Sequence, residues 1–185
     1  MKEKIILASS SPRRRELISL ITDNFEIHTR DVDETIEEGT SPEDAVMLLS
    51  LKKAKAVSDL FRGRTVIGAD TIVVYDDVIL GKPENRENAK EMLSALSGRT
   101  HQVLTGVTIT DGEKTDTFFV SSEVTFFDLT EDEISAYVQS GEPDDKAGAY
   151  AIQGKGSLFV EKINGDYFNI VGFPVSEVNR HLKAF

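Results

Sequence analysis

Ile5-Ile6-Leu7-Ala8-Ser9-Ser10-Ser11-Pro12-Arg13-Arg14-Arg15-Glu16-Leu17-Ile18-Ser19-Leu20-Ile21 reads as a strand, a turn and a helix. Ile5 to Ala8 is a short continuous apolar run, the pattern of a buried strand. From Glu16 to Ile21 the apolar residues recur at helix spacing. Ser11 stands as N-cap and Pro12 as first helical residue. Three arginines then fall in the first helical turn, where the helix dipole costs an exposed cation roughly 0.3–1 kcal/mol. Two readings stand. In one, serine hydroxyls, main-chain N–H groups and guanidinium forks surround an anion such as phosphate. In the other, the segment is a solvated basic turn that caps a helix.

The pattern continues outward from this unit. Phe25 to Arg30 reads as a second strand, followed by an acidic loop from Asp31 to Thr40. Ser41-Pro42-Glu43-Asp44 opens a helix that runs to Leu60 or Phe61. Thr65 to Val74 is an apolar run interrupted by Asp70, and Val78 to Leu80 returns after a turn at Asp76-Asp77. Asn85 to Leu96 is helical and closes at Ser97-Gly98. Two alternating runs, His101 to Thr110 and Thr115 to Phe127, form a hairpin around Asp111-Gly112. Thr130-Glu131-Asp132-Glu133 is a capping box for a helix to Gln139. Ser140 to Gly156 reads as a glycine-rich loop. Ser157 to Ile163 and Tyr167 to Val171 read as a hairpin around Asn164-Gly165, and Pro174 begins a last helix. Early alternation followed by hairpins predicts a mixed α/β fold, with a partly antiparallel twisted sheet and flanking helices. No linker interrupts it, so residues 1–185 are expected to form one domain.

Composition narrows the function. The chain has 185 residues, 39% of them hydrophobic, which suits a globular core. No stretch approaches the roughly 20 apolar residues that span a bilayer. Met1-Lys2-Glu3-Lys4 leads into a run too short for a secretory leader, so a cytoplasmic location is expected. The absence of cysteine excludes disulfides, thiolate metal sites and thiol nucleophiles. The net charge of −11 repels nucleic acids and anionic membranes, while local basic clusters suit a small anion.

Several residues stand out chemically. Asp70, with apolar neighbours, needs a cation, a metal or a shifted pKa, or else pairs with a core lysine. Gly68 and Ala69 beside it remove bulk where a ligand could approach. Glu34, with Asp31 and Asp33, offers hard oxygen ligands for a divalent ion shared with Asp70, or is solvated surface. Lys52, Lys53 and Lys55 read as a basic helix face. Lys82, between Gly81 and Pro83, is held in position for phosphate contact. In Asp145-Lys146-Ala147-Gly148-Ala149-Tyr150-Ala151-Ile152-Gln153-Gly154, small residues permit close approach of a ligand, Tyr150 offers a ring for stacking, and Gln153 an amide that can read a base edge. His28, His101 and His181 lack metal-ligand spacing.

Taken in order, these segments resemble the Maf family of nucleotide pyrophosphatases, also called septum formation proteins. The matching pieces are Leu7 to Arg14, Asp33-Glu34, Lys53-Ala54, Gly68-Ala69-Asp70-Thr71, Gly81-Lys82-Pro83, Leu96-Ser97-Gly98, Asp145 to Tyr150, Ile152-Gln153-Gly154, Gly165-Asp166-Tyr167 and Val171 to Pro174. The resemblance implies a two-lobed fold like that of the inosine triphosphate pyrophosphatases (the Ham1 proteins), with the active site in the cleft between lobes. It implies cleavage of a nucleoside triphosphate to monophosphate and pyrophosphate with a divalent cation, Mg2+ or Mn2+. The family's proton acceptor falls on Asp70, and its substrate-selecting positions on Arg13, Thr71 and Gln153. Its other site positions fall on Ser9, Arg14, Glu34, Lys53, Lys82 and Lys146. Glu34 and Asp70 are read as the pair expected to hold the divalent ion. The Ala-Tyr-x-Ile-Gln-Gly form resembles the branch acting on dTTP and UTP, and modified pyrimidine nucleotides are further candidates. A homodimer and cell-division partners are implied by family analogy. The alternative is a non-catalytic nucleotide-binding regulator of cell division. Arg15 has no assigned role.

Overall fold

The computed structural model describes residues 3–185, so Met1 and Lys2 of the charged N-terminal stretch lie outside it. The strands are β1 (Ile5–Leu7), β2 (Phe25–Ile27), β3 (Val66–Tyr75), β4 (Val78–Leu80), β5 (Thr100–Thr110), β6 (Thr115–Phe126) and β7 (Val160–Asn164). The helices are α1 (Pro12–Ile18), α2 (Pro42–Ser58), α3 (Arg86–Leu96), α4 (Glu131–Gln139), α5 (Tyr167–Val171) and α6 (Val175–Ala184). The strands join in the order β2-β1-β3-β5-β6-β7, with β4 paired to β3. β1 runs parallel to β2 and β3, whereas β3–β4 and β6–β7 are antiparallel. The chain forms two compact units, residues 3–71, 105–120 and 172–185, and residues 72–104 and 121–171.

In the first unit the parallel strands require crossovers, which α1 and α2 supply. Ile6 and Leu7 on the central strand are fully buried, as their apolar run predicts. Ser11 caps α1 by accepting from the Arg14 N–H, and Ser41 caps α2 by accepting from the Asp44 N–H. α2 ends at Ser58, two or three residues earlier than the sequence suggests. β2 is also shorter than expected, because only Phe25 to Ile27 pair with β1. The packing of α2 depends on Gly68 of β3. A Cβ there would lie 2.5 Å from the Ser50 carbonyl and 2.6 Å from the Ala54 nitrogen. The space beside Gly68, expected to admit a ligand, is therefore filled by the backbone of α2.

In the second unit β3 and β4 turn at Asp76 and Asp77, both in left-handed conformation, as a tight hairpin requires. Phe126, Tyr137, Tyr150, Phe159 and His101 form an aromatic core of edge-to-face pairs. The hairpin expected around Asn164-Gly165 does not form. Residues 155–159 are a 3-10 turn, β7 begins at Val160, and Tyr167–Val171 is helical. The cause is Asp166, whose carboxylate takes the Phe168 N–H at 2.8 Å while its own N–H bonds the Ser122 hydroxyl. That local bonding favours a helix start over the strand preference of Tyr-Phe-Asn-Ile-Val.

Candidate active site

Close packing of α2 on β3 sets the first unit's chemistry. Lys53 precedes Ala54, and Asp70 follows Gly68 by two residues on the same strand. The contact at Gly68 therefore delivers the Lys53 ammonium to Asp70 Oδ1, where the two form an ion pair. The same ammonium lies 2.9 Å from Glu34 Oε1. Asp70 is thus the buried carboxylate that the sequence predicts, and a lysine partners it. Lys53 is largely buried rather than part of a solvated basic face.

Glu34 is on an exposed loop, yet the loop is held in place. Lys52 Nζ donates to the carbonyls of Asp33 at 2.9 Å and Thr35 at 3.2 Å, one on each side of Glu34. Asp33 Oδ1 accepts the Thr35 N–H at 2.9 Å, and hydrogen bonding from the Thr35 side chain and then its main chain lowers the Asp33 pKa. Sequence reading missed Lys52 as a loop anchor, because nothing in a run of helix lysines distinguishes one that reaches a distant carbonyl.

Arg14 departs from the expected open anion site. Its Nε donates to the Gly172 carbonyl at 2.8 Å, Nη1 to Ser9 Oγ at 3.3 Å and Nη2 to Thr71 Oγ1 at 3.0 Å. Burial lowers its pKa, and the charge of Asp70 opposes that shift. Ser9 Oγ also accepts the Ser11 N–H, so part of the expected main-chain cradle is already satisfied. Thr71 is further held by Thr105 Oγ1 at 2.9 Å. Thr105 is fully buried and was missed by sequence reading, since one threonine in an alternating strand carries no signal. Arg13 is half-buried, and no hydrogen bond or ion pair holds its guanidinium among the described residues. Arg15 is exposed, and nothing in the structure assigns it a task.

The first unit thus brings together Ser9, Arg13, Arg14, Glu34, Lys53, Asp70 and Thr71. Three cations stand against two carboxylates, a local positive surplus on a chain of net charge −11. Two carboxylate oxygens converge on one cation at Lys53. That donor set fits a divalent ion that also takes substrate phosphate oxygens. Among the described residues no cluster of three or more carboxylate, histidine or cysteine side chains could hold an ion alone.

The second unit carries Lys82, Lys146 and Gln153. Lys82 is exposed just after β4, and the preceding Gly81 carbonyl accepts the Gly148 N–H at 3.1 Å. Lys146 pairs with Asp145. Gly148 has φ +66, and a Cβ there would meet Val73 at 2.9 Å, so its missing side chain makes room for the core. Tyr150 is likewise corrected. It is buried and bonded to His101 Nε2 at 2.8 Å, so it offers no ring for stacking. Burial raises the pKa of its hydroxyl. Gln153 is exposed.

The model of the Maf-like protein family matches residues 4–185. A Bacillus cereus (strain G9842) protein described as a dTTP/UTP pyrophosphatase is 56% identical, covering 99% of this chain and 96% of its own. A Bacillus mycoides (strain KBAB4) protein of the same description is 57% identical, with 98% and 95% covered. Among solved structures, the Staphylococcus aureus Ham1 protein aligns at TM-score 0.58 with 16% identity, covering 98% of this chain and 99% of its own. A Coxiella burnetii HAM1 protein aligns at 0.51, also at 16% identity, covering 99% and 100%. These two likenesses concern the fold. Among the described residues, no helix is long and apolar enough to cross a membrane.

Proposed function

From the premise that this chain belongs to the Maf-like protein family, we propose that it hydrolyses dTTP and UTP to the nucleoside monophosphate and pyrophosphate. The observation that carries this reading is the Lys53 ammonium between Asp70 and Glu34 beside Arg13 and Arg14. A buried carboxylate and surplus positive charge are what water attack on a polyphosphate requires. Asp70 accepts a proton from water as its oxygen attacks the α-phosphorus. Lys53 holds Oδ1, which leaves Oδ2 for that proton. The bond from the α-phosphorus to the α–β bridging oxygen breaks, and pyrophosphate leaves with the electron pair. Arg13 and Lys53 neutralise the charge that develops on the phosphates. Arg14 keeps Ser9 and Thr71 in position, and its remaining N–H groups add to the anion field.

Glu34 and Asp70 would hold a divalent ion, Mg2+ or Mn2+, which when bound supplies further neutralisation of phosphate charge. Lys82 and Lys146 are assigned to the substrate's anionic groups, and Thr71 and Gln153 to selection of the base. The identity of the Bacillus relatives supports the pyrimidine assignment.

Hydrolysis in 18O-labelled water tests the reading. The label is expected in the monophosphate, with unlabelled pyrophosphate as the other product, for dTTP and UTP above other triphosphates. Release of orthophosphate, or label in pyrophosphate, would overturn it.

A further inference from the structure

Gln153 is exposed, yet the loop that carries it is tied down on both sides by two residues outside the assigned machinery. On one side the Ala151 N–H donates to the Tyr137 hydroxyl at 3.1 Å. On the other, the Lys155 N–H donates to Glu142 Oε2 at 3.0 Å and the Gly156 N–H to Glu142 Oε1 at 3.1 Å. The Tyr137 hydroxyl closes the frame by donating to Glu142 Oε1 at 2.9 Å. Tyr137 is itself fixed by packing edge-on against Phe159, and a Cβ at Gly156 would lie 2.9 Å from its hydroxyl. Burial pushes the Glu142 carboxyl up. Its two main-chain donors, the Tyr137 hydroxyl and the charge of Lys146 outweigh that and keep it ionised as an acceptor.

We propose that Tyr137 and Glu142 are positioning residues for base selection, and that they act by fixing the backbone of the loop that presents Gln153. The inference rests on the reading that Gln153 contacts the base. Uracil and thymine present a donor at N3 flanked by carbonyl acceptors, whereas cytosine presents an acceptor at N3 beside an amino donor. A primary amide carries both a donor and an acceptor and can satisfy either pattern if free to turn or shift. It discriminates only when its anchor point is held, because a displaced amide finds the alternative pairing. The loop's three main-chain bonds to Tyr137 and Glu142, braced by the bond between those two side chains, hold that anchor point.

The test measures kcat and KM for UTP, dTTP and CTP in the wild type, Gln153→Ala, Tyr137→Phe, Glu142→Gln and the double variant Tyr137→Phe/Gln153→Ala. Inhibition by inorganic tripolyphosphate, a probe without a base, and thermal midpoints are measured alongside. Tyr137→Phe keeps the ring on Phe159, and Glu142→Gln is the second route if either variant folds poorly. Each clamp variant should lower the UTP-over-CTP ratio by about tenfold through KM, the worth of one directional hydrogen bond. Tripolyphosphate inhibition should stay unchanged, and Tyr137→Phe should add no further loss of ratio to Gln153→Ala. An unchanged ratio in both clamp variants, additive loss in the double variant, or equal weakening of tripolyphosphate would overturn the proposal. If Gln153→Ala itself leaves the ratio intact, the reading of Gln153 fails, and the clamp proposal falls with it.

Discussion

Under the proposed function, the two units serve recognition differently. The first gathers Lys53, Asp70, Glu34, Arg13 and Arg14, groups whose fields add and whose bonds tolerate some misalignment. The second exposes a neutral amide at Gln153 and ties the main chain on either side of it to the buried Tyr137 and the half-buried Glu142. Charge neutralisation needs cations brought near one place, and the contact of α2 with β3 at Gly68 does that. Base reading needs a donor and an acceptor in fixed order, so the backbone itself must be restrained.

The largest break in this contrast is Asp70→Asn. It should cut turnover by about 10²–10⁴-fold, the usual worth of a general base, while binding of a non-hydrolysable dTTP analogue survives. Steady-state rates and calorimetric titration check both halves. Next comes Arg14→Lys, which keeps the charge and loses the planar fork that joins Ser9, Thr71 and Gly172. Loss of charge-assisted bonds worth about 1.5–3 kcal/mol should lower kcat/KM by about 10- to 100-fold and reduce the thermal midpoint.

His101 sharpens the contrast from the side of the second unit. Burial holds its pKa down to about 4 against an ordinary 6.5. Between those values the unfolded chain binds more protons than the folded one, so stability rises with pH. The neutral imidazole contributes in full above pH 6.5, and the contribution is lost as pH falls towards 4, by about 2 kcal/mol between pH 7 and pH 5. Urea midpoints across that range check it. His101→Gln, which keeps a partner for the Tyr150 hydroxyl, should flatten the slope. The smallest effect belongs to Thr105→Val, which removes the bond to Thr71 in a volume-conserving way and should cost about 1 kcal/mol, read as a few-fold rise in KM. Thr105→Ser should restore the wild-type value, whereas a loss shared by both variants would assign Thr105 to packing alone.

Much of the fold was legible because its signals are local. Ser11-Pro12 and Ser41-Pro42 start helices where the caps indicate, and the Asp111-Gly112 turn joins β5 to β6. The failures are local signals overruled by particular bonds. Asp166 turns Tyr167–Val171 into a helix, and the register of β1 cuts β2 to three residues. At the site, Asp70 announced itself as a carboxylate among apolar neighbours. Thr105, Lys52, Tyr137 and Glu142 did not, because each acts on residues remote in sequence or through a backbone atom with no compositional trace.

Composition and motif order determined by themselves that this chain is an acidic, cysteine-free α/β protein of the Maf-like family, with basic clusters fit for a small anion. Those properties follow from residue types and short spacings, which the chain carries before it folds. Tertiary structure alone decided that Lys53 rather than solvent meets Asp70, that Arg14 turns inward to Ser9, Thr71 and Gly172, and that Tyr150 lies in the core. A buried charge or hydroxyl must find a partner wherever packing brings one, and residues such as 14 and 172 meet only once the chain has folded.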